Sequence, residues 1–212
     1  MKKVALLVFL FANLIAVMAQ TPSTSVDNNA RKHKGFYLSM SLGPNFPSIT
    51  DEVAGDYNYK YTGTGALLDF KIGGTLKENL ILHATITSTS MSGPKITSGG
   101  SSLNLDNDLG LGEAMIGAGI TYYVMPVNIL FSGSVGIGNF TLVDGKNDTS
   151  ISTDRGVSFQ LKAGKEWWVS KRWGLGFAFT YSRTSLTNEP GGSISEVMGS
   201  NNFGIVFNAS LN

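Results

Sequence analysis

The chain has 212 residues, 26 of them glycine and none cysteine, with 42% hydrophobic residues, only 15% charged residues and a formal net charge of +1. Soluble domains carry about 25% charged residues and about 7% glycine, so this composition argues against an ordinary soluble enzyme. The near-neutral charge excludes a basic nucleic-acid-binding surface, the lack of cysteine excludes thiolate and cysteine-zinc chemistry, and no apolar run beyond the first twenty residues reaches the roughly 18 to 20 needed for a membrane-spanning helix.

Lys2 and Lys3 precede an apolar stretch from Val4 to Val17, and Val17-Met18-Ala19 has the spacing that a signal peptidase reads. Residues 1–19 are therefore expected to be an export signal, cleaved before Gln20, rather than a retained anchor. Residues 20–34 have no periodicity and almost no apolar content, and read as a flexible periplasmic tail. From Gly35 onward apolar residues recur at every second position, the strand period and not the helical one. The domain expected over 35–212 is all-β.

Eight alternating segments follow in order, about 35–46, 63–76, 80–90, 112–124, 127–140, 156–169, 173–185 and 203–212. In the first, Phe36, Leu38, Met40 and Leu42 oppose Tyr37, Ser39, Ser41 and Gly43. In the sixth, Val157, Phe159, Leu161 and Ala163 oppose Ser158, Gln160, Lys162 and Gly164. Connections after the second, fourth and sixth segments are tight, at 77–79, 125–126 and 170–172. Those at 48–62, 93–108, 144–154 and 187–202 are long and polar. Short and long connections thus alternate, which predicts an eight-stranded antiparallel up-and-down barrel whose last strand closes on the first.

Alternation alone does not say which face is inside, because a soluble lipocalin-like barrel has the same period with its apolar face inward. The composition of the two faces decides. The polar face is mostly Gly, Ser and Thr, suited to a narrow lumen and not to a water-exposed wall, whereas the apolar face carries too many phenylalanines for an eight-stranded interior. The expected architecture is a transmembrane β-barrel with the apolar face toward lipid. Tyr122, Trp167 and Trp173 fall near the short turns and Tyr181 near the long loops, as membrane-interface aromatics would.

Over residues 35–212 the chain resembles the small bacterial outer-membrane barrels of the OmpA-domain and OmpX type. The resemblance rests on the export signal, eight strands, long and short connections in alternation, and runs such as Gly119-Ile120-Thr121-Tyr122-Tyr123 and Gly164-Lys165-Glu166-Trp167-Trp168. It implies an integral protein of the Gram-negative outer membrane, monomeric, surrounded by lipid and lipopolysaccharide and inserted by the outer-membrane assembly machinery. Barrels of this type usually end on an aromatic residue that this machinery reads, whereas this chain ends Ala209-Ser210-Leu211-Asn212.

The inward face carries Asp69, Lys71, His83, Glu113, Lys162 and Glu166. Counting up from the short turns puts Asp69 and Lys162 at similar height on opposite strands, so Asp69, Lys71, Glu113, Lys162 and Glu166 are expected to form a charge network across the lumen. Such a network is either a structural plug or the lining of a narrow ion path. Lys165 falls on the lipid-facing side, which calls for a stem that reaches the headgroups or for a bulge near Gly164. Arg183, near the long loops, could meet lipopolysaccharide phosphates.

No enzyme site is legible. His33 lies in the tail and His83 near a short turn, neither is beside a nucleophile, and scattered carboxylates show no metal-ligand spacing. No cofactor is expected. The main reading is a non-enzymatic barrel acting through four extracellular loops. The alternatives are a porin-like channel for ions or small solutes, and a lipocalin-like binder of apolar ligands.

Overall fold

The computed structural model describes residues 31–53, 58–189 and 195–212. The expected export signal and the first part of the tail, to residue 30, lie outside the described residues. Among those described there are twelve strands and no helix: β1 Phe36–Val53, β2 Asn58–Thr62, β3 Gly65–Lys77, β4 Leu80–Ser92, β5 Lys95–Ser98, β6 Ser101–Asn104, β7 Leu109–Val124, β8 Ile129–Asp144, β9 Thr149–Ser152, β10 Gly156–Trp168, β11 Trp173–Asn188 and β12 Glu196–Leu211.

Eight long strands, β1, β3, β4, β7, β8, β10, β11 and β12, pair antiparallel in that order, and β12 closes on β1 through pairs such as Leu38 with Leu211 and Phe46 with Phe203. The four short strands extend long connections. β2 pairs with β1, β5 with β2, β6 with β5, and β9 with β8. Tight turns sit at the opposite end. Asn79 and Asn128 occupy the left-handed region there, with φ of 66° and 55°, a conformation that asparagine tolerates better than most residues.

Side chains alternate along the long strands, apart from one register shift between Thr75 and Lys77 at the end of β3. Phe131, Phe177, Phe179 and Phe203 are more than half exposed on the outer wall, while Ser39, Asp69, Thr85 and Gln160 are buried inside. An apolar exterior with a polar interior is the reverse of a lipocalin-like binder, which sets that alternative aside. A wall of this kind around a closed ladder satisfies every backbone group without water, and so is built for a bilayer.

The alternation continues above the membrane band, but its chemistry inverts. At the long-loop end Ile49, Met91, Leu111, Phe140, Leu186 and Met198 point inward and pack together, with Tyr61 against them. Outward neighbours at that level, Glu52, Ser90, Ser92 and Thr187, are exposed and polar. This is the ordinary pattern of a soluble protein, apolar in and polar out, and it shows where lipid gives way to water. The strands consequently run past the expected ends: β1 reaches Val53 and β12 begins at Glu196, where open loops were expected over 48–62 and 187–202.

Candidate functional site: layered side chains in the lumen

The middle of the lumen is polar. Asp69 on β3 meets Lys71 on the same strand at 3.1 Å and forms a second ion pair with Lys162, which reaches across from β10. Thr87 donates to Asp69 Oδ1 at 3.1 Å and accepts from Gln160 Nε2 at 3.2 Å, and Lys71 Nζ donates to Gln160 Oε1 at 2.7 Å. Lys162 Nζ also donates to Ser41 Oγ at 2.7 Å and to Asn208 Oδ1 at 3.2 Å. Asn208 passes the connection on, since its Nδ2 donates to Glu166 Oε1. Ser210 Oγ and the Tyr123 hydroxyl donate to Glu166 at 2.6 and 3.2 Å.

Of the five expected network members, the structure thus joins Asp69, Lys71, Lys162 and Glu166, two cations and two carboxylates. Glu113 stands apart, toward the long loops. Its carboxylate accepts from Thr184 Oγ1 and from Asn202 Nδ2 at 2.7 Å, and no lysine or arginine among the described residues pairs with it. The separation follows from its place on β7, one inward position (two residues) from Leu111 in the apolar layer, while both lysines lie lower. Beside it is a void of only about 10 Å³, lined by Thr87, Thr89, Met115, Ser158 and Ser182.

His83 is bound up in hydroxyls: its ring nitrogens lie 3.0 Å from Thr85 Oγ1 and Thr121 Oγ1. Gly119, directly opposite, leaves the space its ring needs, since a Cβ there would lie 2.8 Å from His83 Cε1. No carboxylate contacts this histidine, and among the described residues no group of three His, Asp or Glu converges as a metal site would.

The short-turn mouth holds what the sequence reading missed. The expected flexible tail does not extend to its last four residues, because Arg31–Lys34 are docked under the barrel. His33 is fully buried and stacks on Tyr123, with ring centroids 3.5 Å apart and planes at 14°, while Trp168 flanks it at 4.8 Å. Its backbone N–H donates to Asn79 Oδ1 at 3.0 Å, its carbonyl accepts from Asn79 N at 3.1 Å, and its Nε2 lies 2.8 Å from Asn128 Oδ1. The two left-handed turn asparagines thus fasten the segment. Lys32 and Lys34 both reach Glu78 at 2.6 Å, and Arg31 donates to Ser170 O at 2.8 Å with its guanidinium over Trp168. Burial pushes the His33 pKa below its ordinary value, and the hydrogen bonds from Lys32 and Lys34 hold that of Glu78 down at about 2. Above His33, Tyr37, Ile81, Tyr123 and Leu130 form a second apolar layer.

On the outer wall Tyr122 and Trp167 are about half exposed near the short turns. Trp173 is partly exposed on the first residue of β11, and the Tyr181 hydroxyl donates to Asn201 Oδ1 at 2.8 Å toward the other end. Lys165 keeps its outward place without a bulge, pairing in unbroken register with Phe177 and Ile129. Its ammonium reaches the Val127 carbonyl in the neighbouring turn and lies 5.4 Å from the Trp167 ring centre, so the long-stem resolution is the one adopted.

No family model matches the chain, and no curated protein matches its sequence. Among solved structures, Neisserial surface protein A matches 85% of this chain and 99% of its own with a TM-score of 0.53 at 10% identity. Outer membrane protein OprG from Pseudomonas aeruginosa matches 85% of this chain and 98% of its own, with a TM-score of 0.49 at 12% identity. Identities this low speak for the fold alone. With its even strand number, short turns at one end, long loops at the other and an apolar exterior, the chain is a small eight-stranded integral β-barrel of the bacterial outer-membrane type.

Proposed function

We propose that this is a sealed, non-catalytic outer-membrane barrel that acts through the crown of β-ribbons above the membrane. The observation that carries this reading is the closure of the lumen at three successive levels. An apolar layer built on Ile49, Phe140 and Met198 fills the outer end. A neutral set of two buried ion-paired lysines and two carboxylates fills the middle. Tyr37, Tyr123 and the docked His33 fill the inner end. A conducting path needs a continuous file of water, and the packing of these three layers supports the reading that none runs through them.

Contact with partners then falls to the crown. Its β6 and β9 residues are all exposed and uncharged, with Leu103 and Ile151 about two-thirds exposed at their centres. Arg183 lies exposed on the outer wall below it, where a lipopolysaccharide phosphate would meet it. We further propose that residues 1–19 direct export, and that the barrel is inserted as a monomer by the assembly machinery.

Planar-bilayer recording of the purified barrel tests the reading. The expected trace is that of lipid alone, with no resolved steps. Reproducible steps from the wild-type protein would restore the channel alternative.

A further inference from the structure

The charge of the molecule is unevenly placed between its two ends. Among the described residues outside the lumen, the long-loop end carries nine side-chain carboxylates against five cationic side chains, while the short-turn end carries seven cationic side chains against one side-chain carboxylate, Glu78. Lys32 and Lys34 use that carboxylate. Around the turn between β10 and β11, Arg31, Lys165, Lys171 and Arg172 form no ion pair with any described residue.

These cations are gathered where the lipid-facing wall ends. Trp167, Val169 and Val127 are each about half exposed on the wall beside them. Arg31 is drawn to the turn by Ser170 O, and Lys171 and Arg172 are exposed in the turn itself. Lys165 is the informative member. It lies on the outer face of β10 between Phe177 and Ile129, in register with both, and directs its ammonium to the Val127 carbonyl in the neighbouring turn between β7 and β8, at the level where the wall ends. An anion in the periplasm or on the cell-wall polymer would have to enter the wall to meet it. A lipid phosphate at the headgroup level meets it where it lies, with acyl chains against the apolar side chains alongside.

We infer that the outer wall at Lys165 and the adjoining turn at Lys171 and Arg172 bind anionic glycerophospholipid of the periplasmic leaflet, with headgroup phosphates at these cations and acyl chains against Trp167 and Val169. This rests on the membrane placement proposed above. Cations near a membrane surface each contribute about 1 kcal/mol toward anionic lipid, which is roughly fivefold in relative binding.

All three tryptophans of the chain flank this turn, and two of them, Trp167 and Trp173, lie on the outer wall, so their fluorescence reports on the lipid beside it, while Trp168 faces the lumen mouth. The protein is reconstituted in mixtures of phosphatidylglycerol and phosphatidylcholine of equal chain length, one of the two brominated near the top of its chains. Quenching should show a preference for phosphatidylglycerol of at least about fivefold. The preference should fall to near one in K165Q/K171Q/R172Q and persist in K165R/K171R/R172K, with the heat-dependent gel shift of each variant showing that its barrel is folded. Excess soluble glycerol phosphate should leave the preference in place. A wild-type preference near one, a preference that survives the glutamine variant, or competition by soluble glycerol phosphate would each overturn the assignment. If neither lipid quenches, the tryptophans are not at a bilayer surface, and the membrane placement falls together with the site.

Discussion

The two mouths of the barrel are filled by different means. At the outer mouth the plug belongs to the barrel itself: Ile49, Met91, Leu111, Phe140, Leu186 and Met198 come from six of its strands and meet on the axis. At the inner mouth the closure is borrowed. His33 arrives from a segment outside the sheet and is held by the turn asparagines Asn79 and Asn128 and by stacking on Tyr123. A plug made of strand residues can open only if the barrel unfolds, whereas a docked segment can leave without disturbing a single ladder hydrogen bond. The outer closure should therefore be permanent and indifferent to pH, and the inner one reversible and sensitive to it.

The largest effect is expected between the two mouths. Asp69→Ala removes the carboxylate shared by Lys71 and Lys162 and leaves two buried cations short of a partner, which should cost roughly 3 to 5 kcal/mol in denaturant unfolding from lipid. The double variant with Lys162→Ala should cost less than the sum of its parts, because the orphaned charge is removed as well. If the double variant is additive, the pair does not form the buried network described.

Next comes the outer mouth. Phe140→Ala should destabilise by about 3 kcal/mol through the cavity it leaves, by the same amount at pH 5 and at pH 8, with no change in how fast protease cuts near Arg31. A pH-dependent loss would break the contrast between the ends.

At the inner mouth His33→Ala should cost about 1 to 2 kcal/mol in docking of the segment while leaving the unfolding midpoint of the barrel nearly unchanged. The pH dependence has a defined sign. Burial lowers the pKa of docked His33 below the 6.5 of the free side chain, so the undocked form takes up a proton more readily. Docking is thus fully stabilised above about pH 6.5 and weakens as pH falls through the lowered value of the docked ring. Glu78, held near 2, keeps its charge across this window. Tryptic cleavage after Arg31 or Lys32, normalised at each pH to that of an unstructured peptide substrate, should accelerate between pH 7.5 and 5 in the wild type and be fast and level in His33→Ala. Cleavage that slows on acidification would contradict the assignment.

The smallest effect belongs to Glu78→Gln, which frees two exposed lysines. It should raise tryptic cleavage at Lys32 and Lys34 less than His33→Ala does, and only at low salt, since exposed pairs are weak and screened.

Much of this architecture was legible in the sequence because β alternation carries two facts at once, the strand and the face. Counting residues from the tight turns was enough to set Asp69 and Lys162 at one height, since each strand rises by a fixed amount per residue. The outer plug escaped because its members, except Phe140 at the last position of the fifth segment, stand on the polar face beyond the point where the segments were expected to stop. An apolar residue such as Ile49 or Met198 on that face is the signal that the strand continues out of the membrane. Glu113 escaped in part, because alternation gives its direction but not which strands it faces. The docking of His33 left no periodic trace at all. It depends on Asn79, Asn128, Tyr123 and Trp168, brought together only once the barrel has closed.

The central claim, that the lumen is sealed from both sides, is tested most directly by chemistry that the chain makes possible. It has no cysteine, so each introduced thiol is the sole site for a small charged methanethiosulfonate reagent. Ser134→Cys, in the polar layer between the two plugs, should stay unreacted in the folded barrel for as long as Leu103→Cys, on the exposed crown, is modified to completion, and should react only after unfolding. Modification of Ser134→Cys at a rate near that of Leu103→Cys would mean that water and solutes pass at least one mouth, and would contradict the account.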